Sequence, residues 1–343
     1  MRACIYGAGA MGTVLGAFIS RAGKEIHLIT RNRSHVEMLN ASGARVSFAA
    51  GGGFTQKVTA LTPDKMSGRY DIIFLMTKQR FNSEVCAFLK GFLSDGGVVC
   101  TLQNGLPERS VAEVIGEDKT LGCAVSWGAT FVEPGHVMLT SAPDAMTFSL
   151  GSPFFKNQKA ELVKPYLECA GEVEEIENFV GARWSKLIVN AAFSSLSALT
   201  SLTFGQVAKR RDSRRLAQAI LKEGIDCALA NGITPAPIQG HDLVKWLNYN
   251  GRIKKALSYL IIPFAMKKHK NLVSGMYYDL ISGKKCDMDL VAGVIKEYGE
   301  KAGIPTPATC AALKLCSLVE EGKASVSPDN ILRLTHILNA KRG

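Results

Sequence analysis

The string Gly7-Ala8-Gly9-Ala10-Met11-Gly12 follows directly on a short apolar run at 3–6 and opens an apolar helical stretch at 11–22 that Gly23 closes. Glycine at the first, third and sixth positions of a strand-to-helix turn constrains the fold strongly. The first permits the tight turn, the second lets a ligand approach the backbone, and the third lets helix and strand pack closely. A helix beginning there presents free amides and the positive end of its dipole, so the expected ligand is an anion, the pyrophosphate of a dinucleotide. Glycines at this spacing also occur in turns that serve packing alone; the flanking strand and helix favour the ligand.

Up to residue 178 the chain alternates β-branched runs with helical stretches. Candidate strands fall at 3–6, 26–30, 72–76, 98–102 and 121–125, and several intervening segments are long enough for crossover helices. This predicts a parallel sheet with helices on its faces. The stretch 128–151, with Pro134, Gly135 and Pro143, suggests hairpins extending one edge of that sheet. Beyond 178 the strand signals stop. A proline-free apolar segment spans 179–203, and helical patterns recur at 214–230, 243–260, 276–281, 289–302 and 308–320. Gly232, Gly283 and Gly303 stand where a left-handed residue ends a helix. The expected fold is therefore α/β: a Rossmann-type dinucleotide-binding domain at 1–178, then an all-helical domain at 179–343. A chain of 343 residues, 47% hydrophobic, suffices for two such cores.

The net charge of +11 is unevenly spread. Residues 1–178 carry 17 Lys+Arg against 18 Asp+Glu, whereas 179–343 carry 24 against 12. The basic runs Lys209-Arg-Arg-Asp-Ser-Arg-Arg and Lys267-Lys-His-Lys lack interleaved aromatics or a recognition motif, so a solvated helix face is expected there and no nucleic-acid partner. Nine widely spaced cysteines without a CxxC pair fit buried thiols in a reducing compartment. No signal peptide and no membrane-spanning run are indicated, so a cytoplasmic protein is expected. None of the six histidines has a paired ligand spacing, and no metal is predicted.

The second strand bears on the cofactor. A site for NAD usually ends this strand with Asp or Glu to accept from the ribose 2′-hydroxyl, but the chain has Thr30-Arg31-Asn32-Arg33. A 2′-phosphate repels a carboxylate and attracts a guanidinium, which points to NADPH.

Within the long apolar segment, Lys186, Asn190, Ser194 and Ser197 recur at steps of four, four and three. At about 100° per residue they share an arc of roughly 80°, while Leu187, Ile188, Val189, Ala191, Ala192 and Phe193 fill the rest. A partly desolvated lysine in such a stripe is a candidate acid for the oxygen formed when hydride reaches a carbonyl carbon. The spacing alone equally allows a lysine extended toward solvent.

Taken together, the glycine loop, Arg31, Lys78 in Met76-Thr-Lys-Gln, Asn104 in Leu102-Gln-Asn-Gly-Leu, Trp184-Ser-Lys-Leu-Ile-Val-Asn, Ser274-Gly-Met-Tyr-Tyr-Asp, Cys286-Asp-Met-Asp and the Gly-Ile-Pro-Thr-Pro string at 303–307 form a recognisable series. In order and extent it resembles the ketopantoate reductase (2-dehydropantoate 2-reductase) family. The resemblance implies NADPH-dependent reduction of a small anionic 2-oxo acid, ketopantoate to pantoate in pantothenate and coenzyme A biosynthesis, with substrate held between the two domains. It implies Lys186 as proton donor, Asn190 in contact with the substrate, Asn104 at the nicotinamide end of the cofactor near the substrate carbonyl, and Lys78 and Asp287 near the cofactor. Ser194, Ser274 and Asp287 complete the implied substrate contacts, and a homodimer is the implied assembly. Gly7, Ala8, Gly9, Ala10, Met11, Gly12 and Arg31 make up the rest of the implied cofactor site.

The chain departs from the family pattern on the substrate side. Ser194 and Phe204 stand at family asparagines, Gly275 at a serine that Ser274 precedes, and Asp287 at a glutamate. Each change removes or retracts a polar group, at about 0.5–1.5 kcal/mol per lost hydrogen bond, so a paralogue acting on a different 2-oxo acid is an alternative. A dinucleotide-binding protein with little turnover is another, against which Lys186 speaks.

Overall fold

The computed structural model describes residues 1–154, 159–238 and 240–340. The chain forms two compact units, Met1–Phe179 and Val180–Gly343. The first contains β1 (Ala3–Tyr6), β2 (His27–Ile29), β3 (Ala44–Phe48), β4 (Gly53–Gln56), β5 (Thr59–Leu61), β6 (Tyr70–Leu75), β7 (Leu93–Thr101), β8 (Thr120–Val125), β9 (Ala129–Glu133), β10 (His136–Leu139), β11 (Thr147–Gly151) and β12 (Glu172–Glu175).

Eight of these strands make one sheet in the order β12-β11-β8-β7-β6-β1-β2-β5. From β5 to β8 all neighbours are parallel, and β11 joins β8 antiparallel. The central strands are unbroken apolar runs because both faces are covered. Ile5, Phe74 and Cys100 lie in one core, and Cys4, Ile73 and Val99 in the core on the opposite face, as a period of two requires. The chain runs from β1 outward to β2 and later returns to β6 on the other side of β1. That reversal makes a switch point at the carboxyl ends of β1 and β6, where open α/β sheets bind ligands.

The hairpin expectation for 128–151 needs correction. β9 and β10 do form a hairpin, but it pairs with β3 in a separate four-stranded sheet, β4-β3-β10-β9; only β11 extends the large sheet directly. Val46, Val137 and Leu139 of this small sheet pack into the same core as Val14 and Ala17 of helix Ala10–Arg21.

The second unit has no strand among its described residues beyond an isolated bridge, Ile238 to His241. Its helices include Phe179–Thr200, which begins at the unit boundary, Arg211–Ala230, Gly275–Ile281, Ala292–Ala302 and Pro307–Glu320. Gly232, Gly283 and Gly303 have φ of +73°, +67° and +68°, the left-handed stops expected of them. The pattern at 243–260 is two helices, Leu243–Leu247 and Arg252–Ala265, separated at Gly251, whose φ is +100°. Phe204–Lys209 and Asn330–Ala340 are additional helices.

Candidate active site

In the first unit, four sequence-selected segments emerge from the carboxyl edge of the parallel strands: the glycine loop after β1, Arg31 after β2, Lys78 after β6 and Asn104 after β7. The three glycines have three different surroundings. Gly7 has φ +110°, and a Cβ there would lie 2.6 Å from the Met76 carbonyl carbon, so the turn admits no side chain. A Cβ on Gly12 would lie 2.6 Å from the Gly7 carbonyl oxygen and 3.0 Å from Ile5 Cγ2, so its absence lets helix Ala10–Arg21 pack closely on β1. A Cβ on Gly9 would meet nothing within 4 Å, and the residue is exposed. Open space over Gly9, beside a helix N-terminus with no acidic residue in its first turn, fits a pyrophosphate. The amides of Gly7 and Ala8 both donate to Ile29 O at 2.9 Å, fixing the loop against the end of β2.

Arg31 is mostly exposed, and its Nη2 lies 3.3 Å from Glu84 Oε1 on helix Asn82–Lys90. Burial pushes the Tyr6 hydroxyl to a higher pKa, and the Arg31 guanidinium beside it opposes that shift. Asn32 caps the following helix, accepting from His35 N at 3.1 Å. Lys78 and Asn104 are exposed at the sheet edge.

Between them sits a residue that the sequence reading did not single out. The buried Gln103 donates from Nε2 to Thr77 O at 2.9 Å and to Asn82 Oδ1 at 2.7 Å, while its Oε1 accepts from Thr101 Oγ1 at 2.9 Å and Asn82 Nδ2 at 3.1 Å. Gln103 thereby ties the Thr77-Lys78 turn to the strand end carrying Asn104. Its only sequence signal was adjacency to Asn104.

His35, also buried, joins two layers. Its Nδ1 accepts from Gly135 N and its Nε2 meets Thr13 Oγ1, both at 2.9 Å. The Gly135 amide can only donate, so the ring carries its proton on Nε2, and burial lowers its pKa.

In the second unit, Lys186 and Asn190 are half-buried on helix Phe179–Thr200, and Ser194 and Ser197 are buried below them. Trp184, fully buried, meets Tyr298 edge-to-face at 4.9 Å and anchors the start of this stripe. Ser197 Oγ accepts from Ser274 N at 3.1 Å, so the stripe and the Ser274 segment stand side by side. Ser274 itself caps helix Gly275–Ile281, its Oγ accepting from Met276 N at 3.2 Å. Asp287 is half-buried on a separate loop ahead of helix Ala292–Ala302.

A second residue not anticipated from sequence, Glu223, explains the Gly-Ile-Pro-Thr-Pro string. Its buried carboxylate accepts from Ala308 N (2.7 Å), Thr309 N (2.8 Å) and Thr309 Oγ1 (2.7 Å) at the N-terminus of helix Pro307–Glu320. Burial raises its pKa, against the pull of those donors.

Residues 3–152 match the family model described as ketopantoate reductase PanE/ApbA, and residues 178–320 match the one described as ketopantoate reductase PanE/ApbA C terminal. The 2-dehydropantoate 2-reductase of Pyrococcus horikoshii is 28% identical over 309 residues, covering 90% of this chain and 93% of that protein. The Archaeoglobus fulgidus enzyme of the same name is 28% identical over 322 residues, covering 94% and 98%. Among solved structures, a PanE/ApbA family ketopantoate reductase from Ralstonia eutropha aligns with TM-score 0.77 at 25% identity, over 94% of this chain and 99% of that one. D-mandelate dehydrogenase, in a ternary structure with NADH and anilino(oxo)acetate, shares the fold with TM-score 0.79 at 20% identity, over 94% and 99%. The glycine loop at the switch point, the lysine-bearing helix and the two consecutive family matches lead to one assignment: this chain belongs to the ketopantoate reductase family of oxidoreductases.

Proposed function

We propose that the protein reduces a 2-oxo acid with NADPH, taking 2-dehydropantoate to pantoate, with Lys186 as proton donor. The observation that carries this reading is a half-buried lysine, with Asn190 one turn on, on a largely buried helix; dinucleotide binding by itself requires neither. NADPH supplies the hydride, and the 2-oxo acid takes up one proton to become the 2-hydroxy acid. Lys186 Nζ donates that proton to the former carbonyl oxygen, and the amides of Asn190 and Asn104 hydrogen-bond and orient the acceptor. Ser194, Ser274 and Asp287 are the remaining proposed substrate contacts. The space over Gly9, the first-turn amides and Arg31 would hold the pyrophosphate and 2′-phosphate, with Lys78 and Asp287 as further cofactor contacts.

Ketopantoate reductases supply the relatives, and the same fold in D-mandelate dehydrogenase is known with anilino(oxo)acetate. The substitutions Ser194, Phe204, Gly275 and Asp287 favour a second reading, a paralogue acting on another 2-oxo acid. The test is NADPH oxidation against ketopantoate and a panel of 2-oxo acids, wild type beside Lys186→Ala. Loss of about 10²–10⁴ in kcat with NADPH affinity retained is expected. Full activity of the alanine variant would remove Lys186 from the chemistry, and tight NADPH binding without turnover of any acid would leave a binding protein.

A homodimer is proposed on one further feature. Ile253, Leu257, Leu260 and Phe264 recur at steps of four, three and four on helix Arg252–Ala265 and are 80%, 60%, 58% and 77% exposed. Ser258 and Ile262 on the other side are buried. Such a seam suits packing against its own copy. Sedimentation should show a dimer that Leu257→Glu with Leu260→Glu splits; a monomeric wild type would exclude it. Nine free cysteines, seven of them buried, support placing the protein in the cytoplasm. No helix among the described residues is long and apolar enough to cross a membrane.

A further inference from the structure

The cysteines lack any paired spacing in sequence, yet the fold of the second unit brings two of them together. Cys286, on the loop that carries Asp287, has its Sγ 3.5 Å from Sγ of Cys316 on helix Pro307–Glu320. Both are buried. Glu320, one turn beyond Cys316 on the same helix, places Oε1 3.8 Å from Cys316 Sγ. The same oxygen accepts the Cys286 amide at 2.9 Å. One ligand atom from each of the three residues falls within 4.8 Å of the other two.

These separations fit a tetrahedral cation. With zinc–sulfur bonds of about 2.3 Å and zinc–oxygen bonds of about 2.0 Å, tetrahedral angles put two thiolates about 3.8 Å apart and a thiolate and a carboxylate oxygen about 3.5 Å apart. The observed 3.5 Å and 3.8 Å lie within a few tenths of those edges. Two thiolates and a carboxylate carry three negative charges, which a divalent cation largely offsets. The hydrogen bond with the Cys286 thiol, and then burial, hold the Cys316 proton on in the absence of a cation, and a cation would displace it.

We propose that Cys286, Cys316 and Glu320 form a binding site for a zinc-type divalent cation, with water as the fourth ligand. The cation would join the Asp287 loop to helix Pro307–Glu320 and so play a structural part, separate from hydride transfer.

The test uses the full-length protein, purified with reductant, loaded with zinc and dialysed against metal-free buffer. Elemental analysis should find about one zinc per chain, with a raised thermal midpoint relative to the chelator-treated sample. Cobalt loading should give the charge-transfer absorption of thiolate ligands and the visible bands of a tetrahedral ion. Cys286→Ser and Cys316→Ser should each abolish retention. Because a buried cysteine can matter for folding, Glu320→Gln is the control variant, expected to weaken zinc binding at least tenfold while leaving the fold intact. Affinity should fall as pH is lowered, since the thiols must ionise. Absence of retained metal, retention unchanged in the cysteine variants, or a Cys286–Cys316 disulfide under these conditions would each overturn the proposal.

Discussion

Arg31 offers the sharpest test of cofactor choice, because its present partner is weak. The Arg31–Glu84 pair is 3.3 Å long, with side chains 70% and 71% exposed, so it contributes about 0–1 kcal/mol and yields readily to a better anion. A 2′-phosphate carrying nearly two charges offers that anion, at about 1.5–3 kcal/mol for charge-assisted contacts. Subtracting the pair that must be broken leaves about 0.5–3 kcal/mol, or about a 2- to 160-fold rise in KM for NADPH in Arg31→Ala. KM for NADH, which has only a hydroxyl there, should stay within about threefold. Glu84→Gln should act the other way, lowering KM for NADPH by freeing the guanidinium and removing a carboxylate that repels the phosphate. Steady-state rates with both cofactors, at fixed 2-oxo acid, measure all three effects. Equal losses for NADH and NADPH in Arg31→Ala, or no loss at all, would refute recognition of the 2′-phosphate by this residue.

Four further outcomes follow from the geometry. Gly9→Ala adds a methyl group to open space, so the thermal midpoint should hold while NADPH affinity drops at least tenfold by titration; unchanged affinity would move the pyrophosphate elsewhere. Gly275→Ser likewise meets nothing within 4 Å, and it should lower KM for ketopantoate about two- to tenfold in the rate assay if that acid is the substrate. Glu223→Ala leaves three donors at the start of helix Pro307–Glu320 without their acceptor and should cost about 2–5 kcal/mol in urea unfolding, even after relief of the carboxylate's burial; a loss under about 1 kcal/mol would refute the capping role. His35 has a lowered pKa, so the unfolded state binds its proton first and stability should fall as pH drops below about 6.5 toward the folded value. His35→Asn should flatten that part of the curve of thermal midpoint against pH, and an identical slope in wild type and variant would exclude the histidine.

The parallel core was legible because its strands are covered on both faces. Runs such as Ile72-Ile-Phe-Leu admit few other placements once a glycine loop precedes them. The small sheet was not legible in the same way. β3 and β4 are short and partly exposed, β9 is exposed along most of its length, and the alternation in β10 announces a strand without naming its partner. His35 illustrates the difficulty, since its bond to Gly135 spans 100 residues. The helix Phe204–Lys209 did carry a readable signal: Thr203 and Gln206 form a reciprocal capping box three residues apart. Gln103 offered only its adjacency to Asn104 and Glu223 nothing, because their roles depend mainly on partners 21 to 86 residues away.

The positions at which the resemblance implies a departure from the family pattern are not equivalent physically. Phe204 is buried and stacks on Phe193 at 5.8 Å between ring centroids, so its side chain belongs to the apolar core of the second unit. Returning asparagine there would bury an amide where an aromatic ring now packs, at a cost of about 3 kcal/mol or more. Gly275 has the opposite character: one small side chain fits without displacing anything, beside a serine whose amide Ser197 already holds. Phe204 is part of the packing of helix Phe204–Lys209 against the lysine-bearing helix, through Phe193. On the proposed function, one hydroxyl restored at Gly275 should adjust affinity for the acid, whereas asparagine at position 204 should first cost stability, read as a lower thermal midpoint.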